Sequence, residues 1–176
     1  MIDQDLLVRC VTEATAEVFQ TMLDMEVKFT GLAAEAHPST TGLISLVGIT
    51  GEWGGSGVFC CSPTLASVIC CRMLGSPPAE NPTIDEEVLD VVAEVTNMMI
   101  GNVKNGLEEV TGPLAISVPT VIHGKNFQFR NTTGLRGAAL TFVTEGEQFE
   151  VRVSLAPTGE GAGSHHRASI LDLAHM

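Results

Sequence analysis

Residues 85–110, DEEVLDVVAEVTNMMIGNVKNGLEEV, constrain the fold more than any other stretch of this chain. Val88, Val91, Val92, Val95, Met99, Val103, Leu107 and Val110 recur at steps of three and four, which places them on one side of an α-helix. A helix with one apolar stripe must bury it against a sheet or another helix. The other side carries Glu87, Asp90, Glu94, Asn97, Gly101, Lys104 and Glu108, again at steps of three and four, so a continuous polar stripe faces outward. The pattern predicts a long helix over Ile84–Val110, ended by Gly112-Pro113.

What this helix packs on follows from the flanking segments. Leu6, Leu7, Cys10, Ala14, Val18, Met22 and Met25 give a second helical stripe, predicting a helix from Asp3 to about Asp24. Glu26–Ala34 reads as a strand, His37–Gly42 as a turn and Leu43–Thr50 as a buried strand. Gly51–Gly55 reads as a hairpin connection into a strand over Ser56–Cys61. Ser62 as N-cap and Pro63 in the first turn open a short helix that stops at Gly75. Ser76–Pro82 is a loop, and after the long helix strands are expected at Ala115–Ile122, Asn126–Asn131, Leu135–Thr144 and Glu147–Ala156. Glu145-Gly146 would close the last two as a tight hairpin. Each half begins with a helix and continues into a β meander, a layout suggesting internal duplication. The expected class is α+β: a two-layer α/β sandwich with internal pseudo-duplication, its long helices packed on a mainly antiparallel sheet. One domain is expected over residues 1–156, with 157–176, rich in Gly and carrying His165 and His166, as a flexible tail.

Charge and cysteine content narrow the function. Nine Lys and Arg against 21 Asp and Glu give a net charge of −12, and the cations are scattered, so nucleic acid and anionic membrane are poor partners. Trp53–Cys71 lacks charge, but glycines and Pro63 interrupt it, so it is not read as a membrane span. Met1–Arg9 carries Asp3 and Asp5 without a basic region and does not read as a signal peptide. Cys10, Cys60, Cys61, Cys70 and Cys71 are odd in number and lack C-x-x-C spacing. They read as reduced thiols of a cytoplasmic core, with no metal site. No Ser/His/Asp set or dinucleotide fingerprint appears, and the glycines of residues 51–57 lack the G-K-[ST] end of a phosphate loop.

The polar stripe of the long helix is the candidate site. Gly in a helix interior costs about 1 kcal/mol against Ala, and Asn is a mediocre helix former, yet Asn97, Gly101, Asn102 and Asn105 sit together at its middle. Glu94 and Asn97, three apart, are neighbours, and Gly101 leaves a bare spot one turn further on. Met98, beside the stripe, offers apolar contact. A carboxylate, a carboxamide and open backbone suit a docked partner; equally, Glu94 and Asn97 at this spacing can simply hydrogen-bond each other in water.

DEEVLDVVAEVTNMMIGNVKNGLE resembles the signature E-x-x-N helix of the CheC/CheX/FliY phosphatases. FQTMLDMEV resembles the end of the first CheX helix, GLISLVGITGEWGGSGVFCCSPTLASVICCRML the strand–hairpin–strand–helix segment, and ISVPTVIHGKNFQF a later strand. Together they cover about residues 4–155 in order. The resemblance implies a CheX-like fold and an enzyme that hydrolyses the aspartyl phosphate of a CheY-like response regulator in chemotaxis signalling. It implies catalytic roles for Glu94 and Asn97 and no cofactor of its own, Mg2+ being supplied by the regulator's active site; the partner contacts expected of Met98 and Gly101 come from their place on the stripe. CheC-type members carry a second motif on the first helix; here Glu13-Ala-Thr-Ala16 and Glu17-Val-Phe-Gln20 lack the Asn, so one site per chain is implied. A homodimer joined through the sheets is implied too. The alternative is a CheX-like module that binds a two-component partner without hydrolysing anything.

Overall fold

The computed structural model describes residues 2–33, 40–77, 83–127 and 135–159. In chain order the elements are α1 (Gln4–Leu23), β1 (Lys28–Leu32), β2 (Thr40–Gly51), β3 (Trp53–Cys61), α2 (Pro63–Leu74), α3 (Glu86–Thr111), β4 (Leu114–Ile116), β5 (Thr120–Phe127), β6 (Arg136–Thr144) and β7 (Glu147–Pro157). Each helix begins at a side-chain cap that satisfies an otherwise unpaired backbone N–H. Asp3 Oδ1 accepts from Leu6 N at 2.7 Å, Ser62 Oγ from Leu65 N at 3.0 Å and Asp85 Oδ1 from Val88 N at 3.1 Å. The stops are residues at positive φ: Asp24 (φ 50°) and Gly75 (φ 64°) in the left-handed helical conformation, and Gly112 (φ 74°) with an extended ψ.

The strands form one sheet in the order β1-β6-β7-β3-β2-β4, with β5 beside β4 on the same edge of β2. Every ladder is antiparallel. The helices bury their apolar stripes on the sheet, giving the expected α+β two-layer sandwich. Phe19 of α1 stacks on Phe149 of β7 (centroids 4.8 Å apart), and Phe149 on Phe142 of β6 (5.3 Å). Val92, Val95, Met99, Ile100, Val103 and Leu107 of α3 are fully buried. Gly57 of β3 lets α3 come this close: a Cβ there would lie 2.6 Å from Ile100 Cγ1.

The duplication is visible in the sheet. Replacing β1, β2 and β3 by β5, β6 and β7 turns the order around on itself: β1·β6 mirrors β5·β2, β6·β7 mirrors β2·β3, and β3·β7 lies at the centre. The helices repeat it residue by residue. Buried Leu7, Cys10, Val11, Ala14, Thr15, Val18 and Phe19 of α1 each recur in α3 81 positions later, as Val88, Val91, Val92, Val95, Thr96, Met99 and Ile100.

Some sequence expectations change. The strand expected over Ala115–Ile122 is broken into β4 and β5 at Ser117-Val118-Pro119, because proline has no N–H to donate to a ladder. Ser117 bridges the break: its N–H donates to Gly48 O and its Oγ accepts from Gly48 N, both at 2.9 Å. The strand expected at Asn126–Asn131 is the end of β5 as far as Phe127; the rest lies outside the described residues. The β2–β3 hairpin turns on Glu52 alone, so Gly54 and Gly55 belong to β3 and not to the connection. Glu145 (φ 48°) and Gly146 (φ 83°) make the tight turn that was expected. Met22 and Val110, placed in the apolar stripes by periodicity, are exposed, while their neighbours Leu23 and Thr111 are buried in their stead. The expected domain end at 156 falls within the last residues of β7, and Thr158 N still donates to Glu52 O at 2.9 Å. Residue 34 of the expected first strand, 37–39 of the expected turn, 78–82 of the loop and 160–176 of the tail lie outside the described residues.

Candidate active site

Twenty-six residues of uninterrupted α3 carry all four residues singled out by sequence. Burial of Val95, Thr96, Met99 and Ile100 against the sheet fixes the roll of the helix. Glu94 is thereby exposed, while Asn97, Met98 and Gly101 are half-buried. Thr96 turns inward and donates from Oγ1 to Val92 O at 2.7 Å, so it does not compete for the outer face.

Neither Glu94 nor Asn97 hydrogen-bonds the other or any further described residue. The simple alternative, a mutually satisfied surface pair, is therefore not what the structure shows. Asn97, Met98 and Gly101 line one groove of about 360 Å3, and Glu94 stands outside it. Beyond them the groove is continued by Glu17 and Thr21 of α1 on one side and by β4 on the other. A Cβ added at Gly101 would meet only Ile116 Cδ1 of β4, at 3.7 Å. The bare backbone at Gly101 is thus a patch of the groove wall and not a close helix–sheet contact.

The far end of the groove holds residues that the sequence showed only as ordinary helix surface. Lys104 Nζ donates to Glu108 Oε1 at 2.8 Å and to Asn105 Oδ1 at 3.1 Å. The same Glu108 oxygen accepts from Leu114 N at 3.0 Å, so Glu108 clips the start of β4 to α3. The Lys104 hydrogen bond, and then the Leu114 N–H, hold the Glu108 carboxyl below the usual carboxylate range. Asn102 Nδ2 donates to Glu17 Oε2 at 3.2 Å and joins α3 to α1. Asn102 and Asn105 had signalled themselves as weak helix formers in sequence; Glu17, Thr21 and Ile116 had not, because they reach the groove only through tertiary packing.

The duplicated register shows what stands at the equivalent place on α1. Glu13 falls where Glu94 does, and Ala16 where Asn97 does; the exposure pattern of Val11–Phe19 repeats in Val92–Ile100 except that Glu17 is exposed where Met98 is half-buried. The carboxamide is present once per chain, on α3, within the aligned stretch.

The sequence of residues 43–143 matches the model of the family described as chemotaxis phosphatase CheX. The chain belongs to the CheX family. It is 26% identical over 117 residues to the CheY-P phosphatase CheX of Thermotoga maritima, covering 66% of this chain and 74% of that one. A CheC-like superfamily protein from Shewanella sp. PV-4 is 25% identical and superposes with a TM-score of 0.75 over 88% of this chain and 99% of its own. The fold is also that of the CheX chain in a CheX–CheY–BeF3–Mg2+ complex from Borrelia burgdorferi, at 23% identity and a TM-score of 0.70 over 88% and 99% of the two chains.

The thiols stand apart from this face of the CheX fold. All five cysteines are free. Burial pushes the Cys60 thiol up to about 12, with Glu150 adding to it, and raises Cys61 further. Among the described residues no helix is long and apolar enough to cross a membrane.

Proposed function

We propose that this CheX-family protein hydrolyses the aspartyl phosphate of a CheY-like response regulator, with Asn97 and Glu94 as its catalytic residues. The observation that carries this is Asn97, its carboxamide at the side of the groove beside exposed Glu94, neither of them hydrogen-bonded to another described residue. An aspartyl phosphate is cleaved when water attacks phosphorus and the bond from phosphorus to the aspartate oxygen breaks. The aspartate leaves as carboxylate, and the water's proton leaves with inorganic phosphate. Such a reaction depends on positioning and electrostatics more than on a tuned base. A carboxamide suits it, since its C=O accepts from the water while its NH2 donates to a phosphoryl oxygen. Glu94, outside the groove, pairs with a lysine of the regulator and sets the register of docking. The Mg2+ needed for charge neutralisation belongs to the regulator; this chain's share is the two side chains and the surface that holds them. Met98 and Gly101 contact the partner, Met98 through its thioether and Gly101 through open backbone.

The same proposal places the protein in the cytoplasm as a homodimer joined through its sheets. Exposed Phe29 and Leu32 on the β1 edge and Val118 and Ile122 along the β4–β5 edge support an interface there.

Phosphate release from phosphorylated CheY-like regulators of the same genome tests the activity. Wild-type protein should accelerate release from one of them. Glu94→Ala should bind that regulator more weakly and turn over more slowly. Tight binding of a phosphorylated regulator with no acceleration would make the protein a binding module instead.

A further inference from the structure

Charge changes along the stripe that carries Asn97. Toward the start of α3 the stripe holds exposed Glu87, Asp90 and Glu94, all acidic; beyond Asn97 it holds Gly101 and then Lys104 paired with Glu108, and Lys104 is the one cation lining the groove among the described residues. Glu109 lies off this stripe by the helical repeat. Asn97 and Lys104 are seven residues apart, about 10 Å along the helix at 1.5 Å per residue. That is too far for both to touch one phosphoryl group.

Lys104 is held in place. An ammonium has three donors. Glu108 and Asn105 take two, and the side chain, 20% exposed, lines the groove with one donor not used by either. Glu108 is itself anchored by Leu114 N, which keeps the pair from swinging away. Between Asn97 and Lys104 the wall is bare at Gly101 and apolar at Ile116. The carboxylate of Glu17, also in the lining, is engaged by Asn102.

We propose that this groove is a second docking subsite for the response regulator, taking an acidic side chain at Lys104 and an apolar one over Gly101 and Ile116. The inference rests on the phosphatase proposal for the partner's identity and adds the direction in which the partner lies. Its basic group faces the α3 N-terminal half at Glu94, and its acidic group faces Lys104. An overall charge of −12 makes such local polarity the means of orienting a partner, because net attraction cannot do it.

The test uses the full chain and the CheY-like regulator it dephosphorylates, activated with beryllofluoride and Mg2+. Affinity is measured for wild type, Lys104→Gln, Lys104→Glu and Lys104→Arg at low and high salt, with kcat and KM for each. Lys104→Gln should weaken binding by up to about five-fold, the range of an exposed ion pair, and Lys104→Glu by more. KM should follow affinity while kcat stays unchanged, and Lys104→Arg should bind nearly as wild type does. The loss in Lys104→Glu should shrink at high salt. Thermal unfolding of each variant separates these effects from loss of fold. Unchanged affinity in folded Lys104→Glu would overturn the subsite, and so would a fall in kcat at unchanged affinity. If Asn97→Ala abolishes turnover in the same series, the phosphatase proposal stands without the subsite. If wild type binds the regulator and shows the Lys104 dependence but never accelerates release, the subsite stands and the enzyme does not.

Discussion

Replacing Gly101 separates a groove residue from a packing residue. In the middle of a 26-residue helix, glycine costs about 1 kcal/mol relative to alanine. That gain is realised only if the new side chain has room. At Gly101 an added Cβ meets only Ile116 Cδ1, at 3.7 Å, which is ordinary van der Waals contact. Gly101→Ala should therefore stabilise the protein by about 1 kcal/mol, raising Tm by roughly 2–4 °C for a chain of this size. Leucine has nearly the same helix propensity, and its further carbons extend into the groove, so Gly101→Leu should be at least as stable as wild type. Both should slow dephosphorylation, leucine more, because the partner meets side-chain atoms where it now meets backbone. Thermal unfolding and phosphate release are measured on the same preparations. A lower Tm for Gly101→Ala would mean that the space is not open. A folded Gly101→Leu protein with wild-type turnover would show that the regulator does not use this part of α3.

Gly57→Ala should behave in the opposite way: its Cβ would lie 2.6 Å from Ile100 Cγ1, so overpacking should cost about 1–3 kcal/mol, read as a lower midpoint in denaturant. Glu108→Gln should show a specific pH dependence. The carboxyl of Glu108 is held below its ordinary value, so its stabilising effect is complete above about pH 4.5 and is lost as pH falls through the lower folded-state value. The Tm difference between wild type and Glu108→Gln should accordingly be present at pH 7 and shrink as the pH is taken progressively below about 4.5. A difference that persists or grows in acid would mean that the Lys104 and Leu114 bonds do not stabilise the ionised form.

Periodicity was enough to find α1 and α3, and Ser62, Pro63 and Gly75 mark α2 by local chemistry, but periodicity begins the long helix at Ile84, one residue before the Asp85 that caps it. It was enough for the rolling of α3 too, because a stripe of valines dictates which side faces the sheet. It overran at Val110 and Met22, which are exposed while the adjacent Thr111 and Leu23 are buried. The β4–β5 break was harder to see: Pro119 forbids a continuous ladder, but only the backbone and side chain of Ser117 against Gly48 show how the edge is held across it. At the site, Glu94, Asn97, Met98 and Gly101 are legible because they lie on one helix. The groove is not, because its other walls come from residues about 80 positions earlier on α1 and from β4, and no local pattern joins them. Glu108 shows the same limit, having the sequence of a solvated glutamate and the structure of a clip between α3 and β4.

The central claim is that the Asn97 carboxamide acts on the reacting water, and its most direct test is single-turnover decay of a phosphorylated CheY-like regulator with saturating Asn97→Ala protein. Asn97 is half-buried and hydrogen-bonds no described residue, so the variant should fold and unfold as wild type does. The account predicts that it still binds the regulator while the decay rate falls to nearly that of the regulator alone. Wild-type decay in the presence of folded, saturating Asn97→Ala would contradict it.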